Sequence, residues 1–421
     1  MRSQPSRWTV APGEPAAPAS NLAVGLSHTQ LLWLVGLLGA WPGFWSDMIF
    51  PALVSMQEDL RVSASAAQQA VSLFFIANAV MCLVHGILID AWGRRRMALA
   101  ALSVLFITSV LCALATRIEH IWVLRVMQGM VIGLGHILCR TIIRDLYSGV
   151  QAQHMIGQTS MLQTMVPILL PALAGWLTVQ GDWRAVFWAL SAVALVATCA
   201  YWRWLPETLP PERRRRMHPA AVASQYRQVV LDSHFVRPTI AHGLNWSAMF
   251  LYVAAGPVFI QQWVGRTPTD VYLVFAPIML GLVAGLYLLP RWSRWWNQCD
   301  PLPSCYAVLL VAHALNLLLA LWGHTGMALL LPLGLCSLGI GLCMPVLIGR
   351  ALQPHAERSG LAASLQMFVQ YAFMAVTAGL LAPHLWDTLP GLALTSAAMS
   401  MLSLLLTRAD TRSRVAQVGG G

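Results

Sequence analysis

Gly86-Ile-Leu-Ile-Asp90-Ala-Trp-Gly93-Arg94-Arg95-Arg96 stands where a long apolar run stops, and its spacing decides how the rest of the chain is read. Gly86, Asp90 and Arg94 are four residues apart, so on a helix they follow one another along one face. A glycine at 86 predicts close approach of a neighbouring helix. Gly93 predicts a helix end, because glycine takes up positive φ without a steric penalty. Arginines directly after an apolar run are also an ordinary flank of a membrane span. The acid and two glycines at fixed offsets exceed what such a flank requires.

Working outward, the sequence is 57% hydrophobic and only 10% charged, with a mean hydropathy of +0.64, unlike a soluble domain. Twelve apolar runs are each long enough to cross a bilayer: 29–55, 66–89, 97–116, 119–143, 154–179, 184–205, 237–263, 270–289, 303–323, 326–349, 360–383 and 388–407. Backbone polar groups in lipid must be satisfied internally, so the expected fold is an all-α membrane protein of twelve transmembrane helices.

All 26 basic residues are arginine. With the N-terminus inside, the outward loops hold only Arg61, Arg117, Arg184 and Arg266, Arg125 falls within a span, and the rest lie inward. This bias predicts that both termini are cytoplasmic. The formal charge of +10 then reports topology and contact with anionic membrane lipid, and no nucleic acid partner is expected. Residues 1–28, rich in Pro, Ala and Ser, read as a disordered cytoplasmic tail rather than a signal peptide. The eight cysteines lie mostly within spans, show no metal-ligand spacing, and read as packing residues.

The longest polar stretch separates six spans from six. It begins Leu205-Pro206-Glu207-Thr208-Leu209-Pro210-Pro211 and runs into Arg213–Arg216, which cannot continue a lipid-facing helix. The expected organisation is therefore a first six-helix bundle over 29–205, a cytoplasmic linker over 206–236, a second bundle over 237–407 and a cytoplasmic tail over 408–421. The corresponding loop of the second half, Pro290-Arg-Trp-Ser-Arg-Trp-Trp-Asn297, keeps basic charge but lacks the Gly/Asp spacing.

Asp47, in Ser46-Asp47-Met48-Ile49-Phe50-Pro51, is the one acid well inside any span. A carboxylate at the bilayer centre costs at least about 2.5 kcal/mol, so it should face a bundle interior or an aqueous cavity, where it can take and give a proton. Placement at the hydrated outer end of the span is the alternative. Arg125, in Arg125-Val-Met-Gln128-Gly129, either needs a partner inside the bundle or snorkels to the headgroups. Arg140, Arg144 and Asp145 should reach the inner face near Asp90, giving an Asp90/Arg94/Arg144/Asp145 latch beside Arg95. Pro167, Pro171 and Gly175 recur every fourth residue, share a face, and permit kinking or close packing. His85, His136 and His313 fall within spans and read as hydrogen-bonded packing residues. The sequence holds no phosphate-binding loop, zinc signature or nucleophile elbow, so neither ATP hydrolysis nor another enzyme activity, metal or cofactor is expected.

The segment 86–96 resembles the signature between the second and third helices of major facilitator transporters, with Ala91 where that signature usually has arginine. Arg125-x-x-Gln128-Gly129 resembles a second facilitator motif. The Pro167/Pro171/Gly175 pattern resembles the exporter motif of the fifth helix, with Trp176 replacing its final glycine. Ala248-Met-Phe-Leu-Tyr252-Val-Ala-Ala-Gly256-Pro257-Val-Phe259, the Trp183-Arg184 pair and the Asp47–Pro51 segment resemble the Bcr/CflA drug:proton antiporters. MdfA-type exporters, similar in the first helix, carry a second acid about two turns earlier, where this chain has Gly39.

The resemblance implies two six-helix halves rocking around a central cavity, and proton-coupled efflux of small lipophilic or amphipathic compounds across the bacterial inner membrane by a monomer. Asp47 would carry the proton and Arg125 would tune it. Gly86, Asp90, Gly93, Arg94, Arg95, Arg144, Asp145, Pro167, Pro171 and Gly175 would gate. Trp45, Met48, Gln128, Gln163, Asn245 and Tyr252 are the candidate substrate contacts, flat, flexible or amide side chains at cavity depth. A dedicated exporter of a siderophore or other secondary metabolite would carry the same coupling residues.

Overall fold

The computed structural model describes residues 28–210, 212, 219–295 and 300–419. The expected N-terminal tail, apart from His28, and Arg213–Arg216 lie outside the described residues.

The first part of the chain forms α1 (His28–Asp47), α2 (Leu53–Leu60), α3 (Ala64–Trp92), α4 (Arg94–Ala113), α5 (Ile118–Ile132), α6 (Leu134–Leu146) and α7 (Gly149–Trp204). A short helix, α8 (Pro219–Val230), interrupts the expected linker. Then follow α9 (Ser233–Ala254), α10 (Gly256–Phe259), α11 (Tyr272–Trp295), α12 (Leu302–Leu321), α13 (Leu330–Leu352), α14 (Ser359–Val376), α15 (Ala382–Leu385) and α16 (Leu389–Gly419). The last runs on through the stretch expected to be a tail.

Nine described helices are long and apolar enough to cross a membrane, or ten if the pair Ser233–Ala254 and Gly256–Val264, bent by 55°, is one span. The sequence predicts twelve, and the difference has local causes. α7 contains two expected spans in one run, about 84 Å of helix at 1.5 Å per residue, with non-helical backbone inside it at Gly181 (φ −150°) and Asp182 (φ 65°). In α1, three tryptophans, Pro42 and three glycines dilute the apolarity, and Pro51 then breaks the ladder before α2.

α1 packs on α6 and α7, α3 on α5, and α4 on α5 and α7; in the second part α9 packs on α13, α14 and α16, and α11 on α13. α3 against α14, and α7 against α11, join the two sets. Ile76, Val80, Val123, Leu169, Val311 and Leu331 stay exposed on the outside, an apolar belt that suits lipid rather than water. α3 and α7 are thus the helices of the first set that lie against the second.

Candidate functional site: a lone carboxyl, a buried arginine and two ends

Asp47 closes α1. Pro51, four residues on, has no N–H for the Asp47 carbonyl, so the helix ends there and the 3-10 turn Phe50–Ala52 follows. Ser46 Oγ donates to Asp47 Oδ1 at 2.6 Å. Oδ2 lies 3.7 Å from where a Cβ on Gly43 would sit, while the room that glycine leaves is taken by Val166 of α7, 2.9 Å from the same point. Asp47 is half-buried, and no cation among the described residues pairs with it. Two turns earlier, a Cβ on Gly39 would overlap the Gln163 amide. An amide from α7 thus fills the place where an acid of α1 would otherwise reach.

Arg125 is fully buried and does not snorkel. Its Nη1 donates to the Trp45 carbonyl at 2.9 Å and to Gln128 Oε1 at 3.0 Å, its Nε to the Ala70 carbonyl at 3.3 Å, and its guanidinium lies 4.0 Å over the Phe74 ring. Trp45 Nε1 donates to Ser109 Oγ at 3.0 Å, and Gln128 Nε2 reaches the same hydroxyl at 3.4 Å. One buried network therefore ties α1, α3, α4 and α5 together. Arg125 grips the α1 backbone two residues before Asp47 and makes no ion pair with its carboxylate in this conformation.

At the end of α3, Gly93 takes φ 95° as the sequence predicts, and a Cβ there would sit 2.5 Å from Glu207 Oε2. The space serves that carboxylate: Glu207 Oε1 accepts from the Arg94 N–H at 2.9 Å, an acid supplied from beyond α7 to the N-terminus of α4. Arg94, almost buried, pairs with Asp90 at 3.2 Å and Asp145 at 3.1 Å, and Thr208 Oγ1 donates to Asp145 at 2.7 Å. Arg95 Nη2 donates to the Trp202 carbonyl.

Two expectations are corrected here. Arg144 is exposed and outside this cluster, because its position on α6 turns it away from Arg94; Glu207 and Thr208 complete the knot instead. A Cβ on Gly86 would meet nothing within 4 Å, so no helix approaches closely there. Since Asp145 is less exposed than Asp90 (24% against 53% for the side chains) and holds two partners, Asp145→Asn should cost about 1–3 kcal/mol and Asp90→Asn under about 1. Thermal unfolding of the purified variants ranks them, and equal losses would contradict the reading.

At the opposite end the turn within α7 is fixed by Arg184, whose Nη1 donates to Asp59 at 2.7 Å and Nη2 to the Ala115 carbonyl at 3.2 Å; Trp183 Nε1 also donates to Asp59. The Arg184 hydrogen bond, helped by Trp183, holds the Asp59 carboxyl below the usual carboxylate range, so this clasp stays ionised at neutral pH. The two helix sets meet at this end. Gln69 Nε2 donates to the Gly379 carbonyl at 3.0 Å, Ser72 Oγ to the Ala375 carbonyl at 2.9 Å, and Phe50 packs on Phe250 and Phe275. Gly175 lies directly against the Thr269 carbonyl. The backbone of α7 stays helical through Pro171, and the close packing on this face is at Gly175. At the Arg94 end, ion pairs stay within each set: Arg350 pairs with Asp300, and His355 with Asp232 at 3.0 Å. The conformation is one closed at the Arg184 end.

Of the expected substrate contacts, Gln163 is part-exposed, while Trp45, Met48, Gln128, Asn245 and Tyr252 are buried in the walls. Trp45 and Gln128 belong to the Arg125 network. Tyr252 OH accepts from Asn316 Nδ2 at 2.7 Å, and Asn245 Nδ2 reaches Tyr306 OH at 3.4 Å, so both hold the second set together in this conformation. His85 and His313 are buried and hydrogen-bonded, as read from sequence, whereas His136 is part-exposed. Six cysteines are buried and Cys199 is exposed, and no disulfide forms among the described residues; Cys299 lies outside them. No group of three or more His, Cys, Asp or Glu that could hold a metal ion occurs among the described residues.

A multi-span bundle of two helix sets, closed on each other at one end and holding a half-buried carboxyl with no cation partner, is the build of a membrane transporter. The family model described as Major Facilitator Superfamily matches residues 32–379, and the chain belongs to that superfamily. A bicyclomycin resistance protein homolog of Haemophilus influenzae is 24% identical over 90% of this chain and 96% of its own length. Multidrug resistance protein D of Escherichia coli is 24% identical over 80% and 84%. These relatives agree with the Bcr/CflA resemblance. Among solved structures, a peptide transporter with bound alafosfalin superposes with a TM-score of 0.73 at 14% identity, covering 94% of this chain and 97% of its own. A D-xylose-proton symporter does so with a TM-score of 0.68 at 16% identity, covering 89% and 96%. These structures are of proteins with different substrates, so the likeness shows the fold and not the cargo.

Proposed function

We propose that this transporter exports small lipophilic or amphipathic compounds, drugs among them, in exchange for protons across the bacterial inner membrane, as a monomer with both termini cytoplasmic. The single observation that carries the coupling is Asp47: a half-buried carboxyl that accepts from Ser46 and has no cation partner among the described residues. A carboxyl so placed binds a proton when the cavity opens to the acidic side and releases it when the cavity opens to the cytoplasm. The bundles over 29–205 and 237–407, linked by 206–236, would rock about Asp47. The Arg94 knot, which ties α3, α4 and α6 of the first set together, would move as one unit to close the cytoplasmic end as the Arg184 end opens, and the conformation described above would then be the inward-facing one. Arg125 would tune Asp47 through the α1 backbone that it grips. The names of the relatives support drugs as cargo.

Everted vesicles carrying the protein and acidified inside test the exchange. Adding bicyclomycin or a panel of amphipathic drugs should release internal protons, read as recovery of a quenched pH dye. No recovery with any drug, in vesicles shown to hold folded protein, would reject proton antiport.

A further inference from the structure

α6 carries a polar stripe that none of the roles above uses. His136, Arg140 and Arg144 succeed one another at four-residue spacing, one face of a helix that lies within the expected span 119–143 and beyond. Its opposite face, through Leu138, Cys139, Ile142 and Ile143, is buried. Arg140 and Arg144 are exposed and have no hydrogen bond or ion pair among the described residues, unlike Arg94, which is held by Asp90 and Asp145, and Arg125, whose Nη1 and Nε are bonded within the bundle.

Two residues, Gln163 and Tyr371, put this stripe on the side of α7 and the second set rather than the lipid. Gln163, on the α7 wall beside Asp47's helix, is within hydrogen-bonding reach of His136. The Tyr371 hydroxyl, on α14 of the second set, lies in the electrostatic range of both Arg140 and Asp47. Tyr371 is itself stacked on Phe75 of α3, where the two sets face each other. An unpaired guanidinium inside a span is expensive unless water or a ligand covers it. A guanidinium also presents a planar fork of donors that matches an oxyanion.

We infer that Arg140, flanked by His136 and Arg144, is a binding site for an anionic group, a carboxylate or similar oxyanion, on the amphipathic compounds this protein moves. The inference rests on the transport reading and names the substrate class that the cavity prefers. The anion would enter from the Arg94 end over Arg144, settle on Arg140 beside the Gln163 amide, and leave the apolar part of the molecule toward the aromatic walls.

The test uses two naphthalene probes of equal shape, naphthalene-2-carboxylate and the neutral naphthalene-2-carboxamide. Their binding to purified protein in lipid nanodiscs is followed by equilibrium dialysis at pH 7.5, with empty nanodiscs as blank. The wild type should bind the carboxylate about tenfold more tightly than the carboxamide. Arg140→Gln should narrow that preference to under about twofold while keeping the carboxamide affinity, and Arg140→Lys should retain about threefold or more. Equal affinities in the wild type, binding of neither probe up to its solubility, or an undiminished preference in Arg140→Gln each overturns the anion site. If Arg140→Gln also loses the carboxamide, Arg140→Lys decides: a lost preference with intact carboxamide binding overturns the site. The proton-release assay on the wild type reads the transport proposal separately, so the two can fail independently.

Discussion

Asp47→Asn should abolish uphill efflux while leaving the protein folded and inserted. The amide has the shape of the carboxyl and can still accept from Ser46, but it does not titrate across neutral pH. A proton entering down a potential of 100 mV releases about 2.3 kcal/mol, enough to sustain roughly a fiftyfold gradient of a neutral solute. Without the proton site that gradient should collapse to about onefold, while downhill movement of the same compound persists. Efflux is measured in everted vesicles at matched protein levels, with thermal unfolding as the control for folding. Undiminished uphill transport by the variant would remove Asp47 from the mechanism. Because no cation pairs with Asp47 in this conformation, the substitution leaves no buried charge behind, and its effect on stability should be small.

Gly175→Val should disable transport by a different route, by blocking closure at the Arg184 end. The Cβ at 175 would overlap the Thr269 carbonyl, a backbone atom that cannot rotate away as a side chain would. α7 and the Pro268–Val271 turn would have to separate, and that turn is itself held in shape by a Thr267/Asp270 capping box. Overpacking of this kind costs about 1–3 kcal/mol, a shift of roughly 5- to 150-fold away from the closed state. A single cysteine near Thr269, in a protein freed of its native cysteines, should label faster by a factor in that range. Gly86→Ala is the matched control, since its Cβ meets open space and should change neither labelling nor efflux. Unchanged labelling in Gly175→Val would mean that the contact does not hold this end shut.

The segment 86–96 shows where sequence reasoning succeeds and where it stops. The positive φ of Gly93 and the Asp90–Arg94 pair follow from local stereochemistry and four-residue spacing, so both are legible in one stretch of chain. The Arg94–Asp145 pair bridges 51 residues and is legible only as charges brought to the same end of neighbouring spans. Glu207 bridges 113, and nothing near it says which helix it serves. The signal available was an acid directly after the sixth apolar run, in Pro206-Glu207-Thr208, where the chain must turn back across the ends of earlier helices. Gly86 misled for the same reason in reverse: the spacing says that a helix can approach, and only the packing says whether one does.

Hydropathy and charge bias alone determined that this chain is a multi-span helical membrane protein with Asp47 and Arg125 inside its spans, because lipid admits few backbone solutions and penalises every buried charge. What each charged group then does was decided by tertiary structure. Arg125 became a brace on the Trp45 carbonyl, Arg94 the centre of a knot, and Arg140 an exposed cation with no partner among the described residues. All three are arginines in helical sequence, alike in hydropathy and propensity. They differ only in which partners the neighbouring helices bring to within a hydrogen bond, and those partners come from parts of the chain that no local pattern connects.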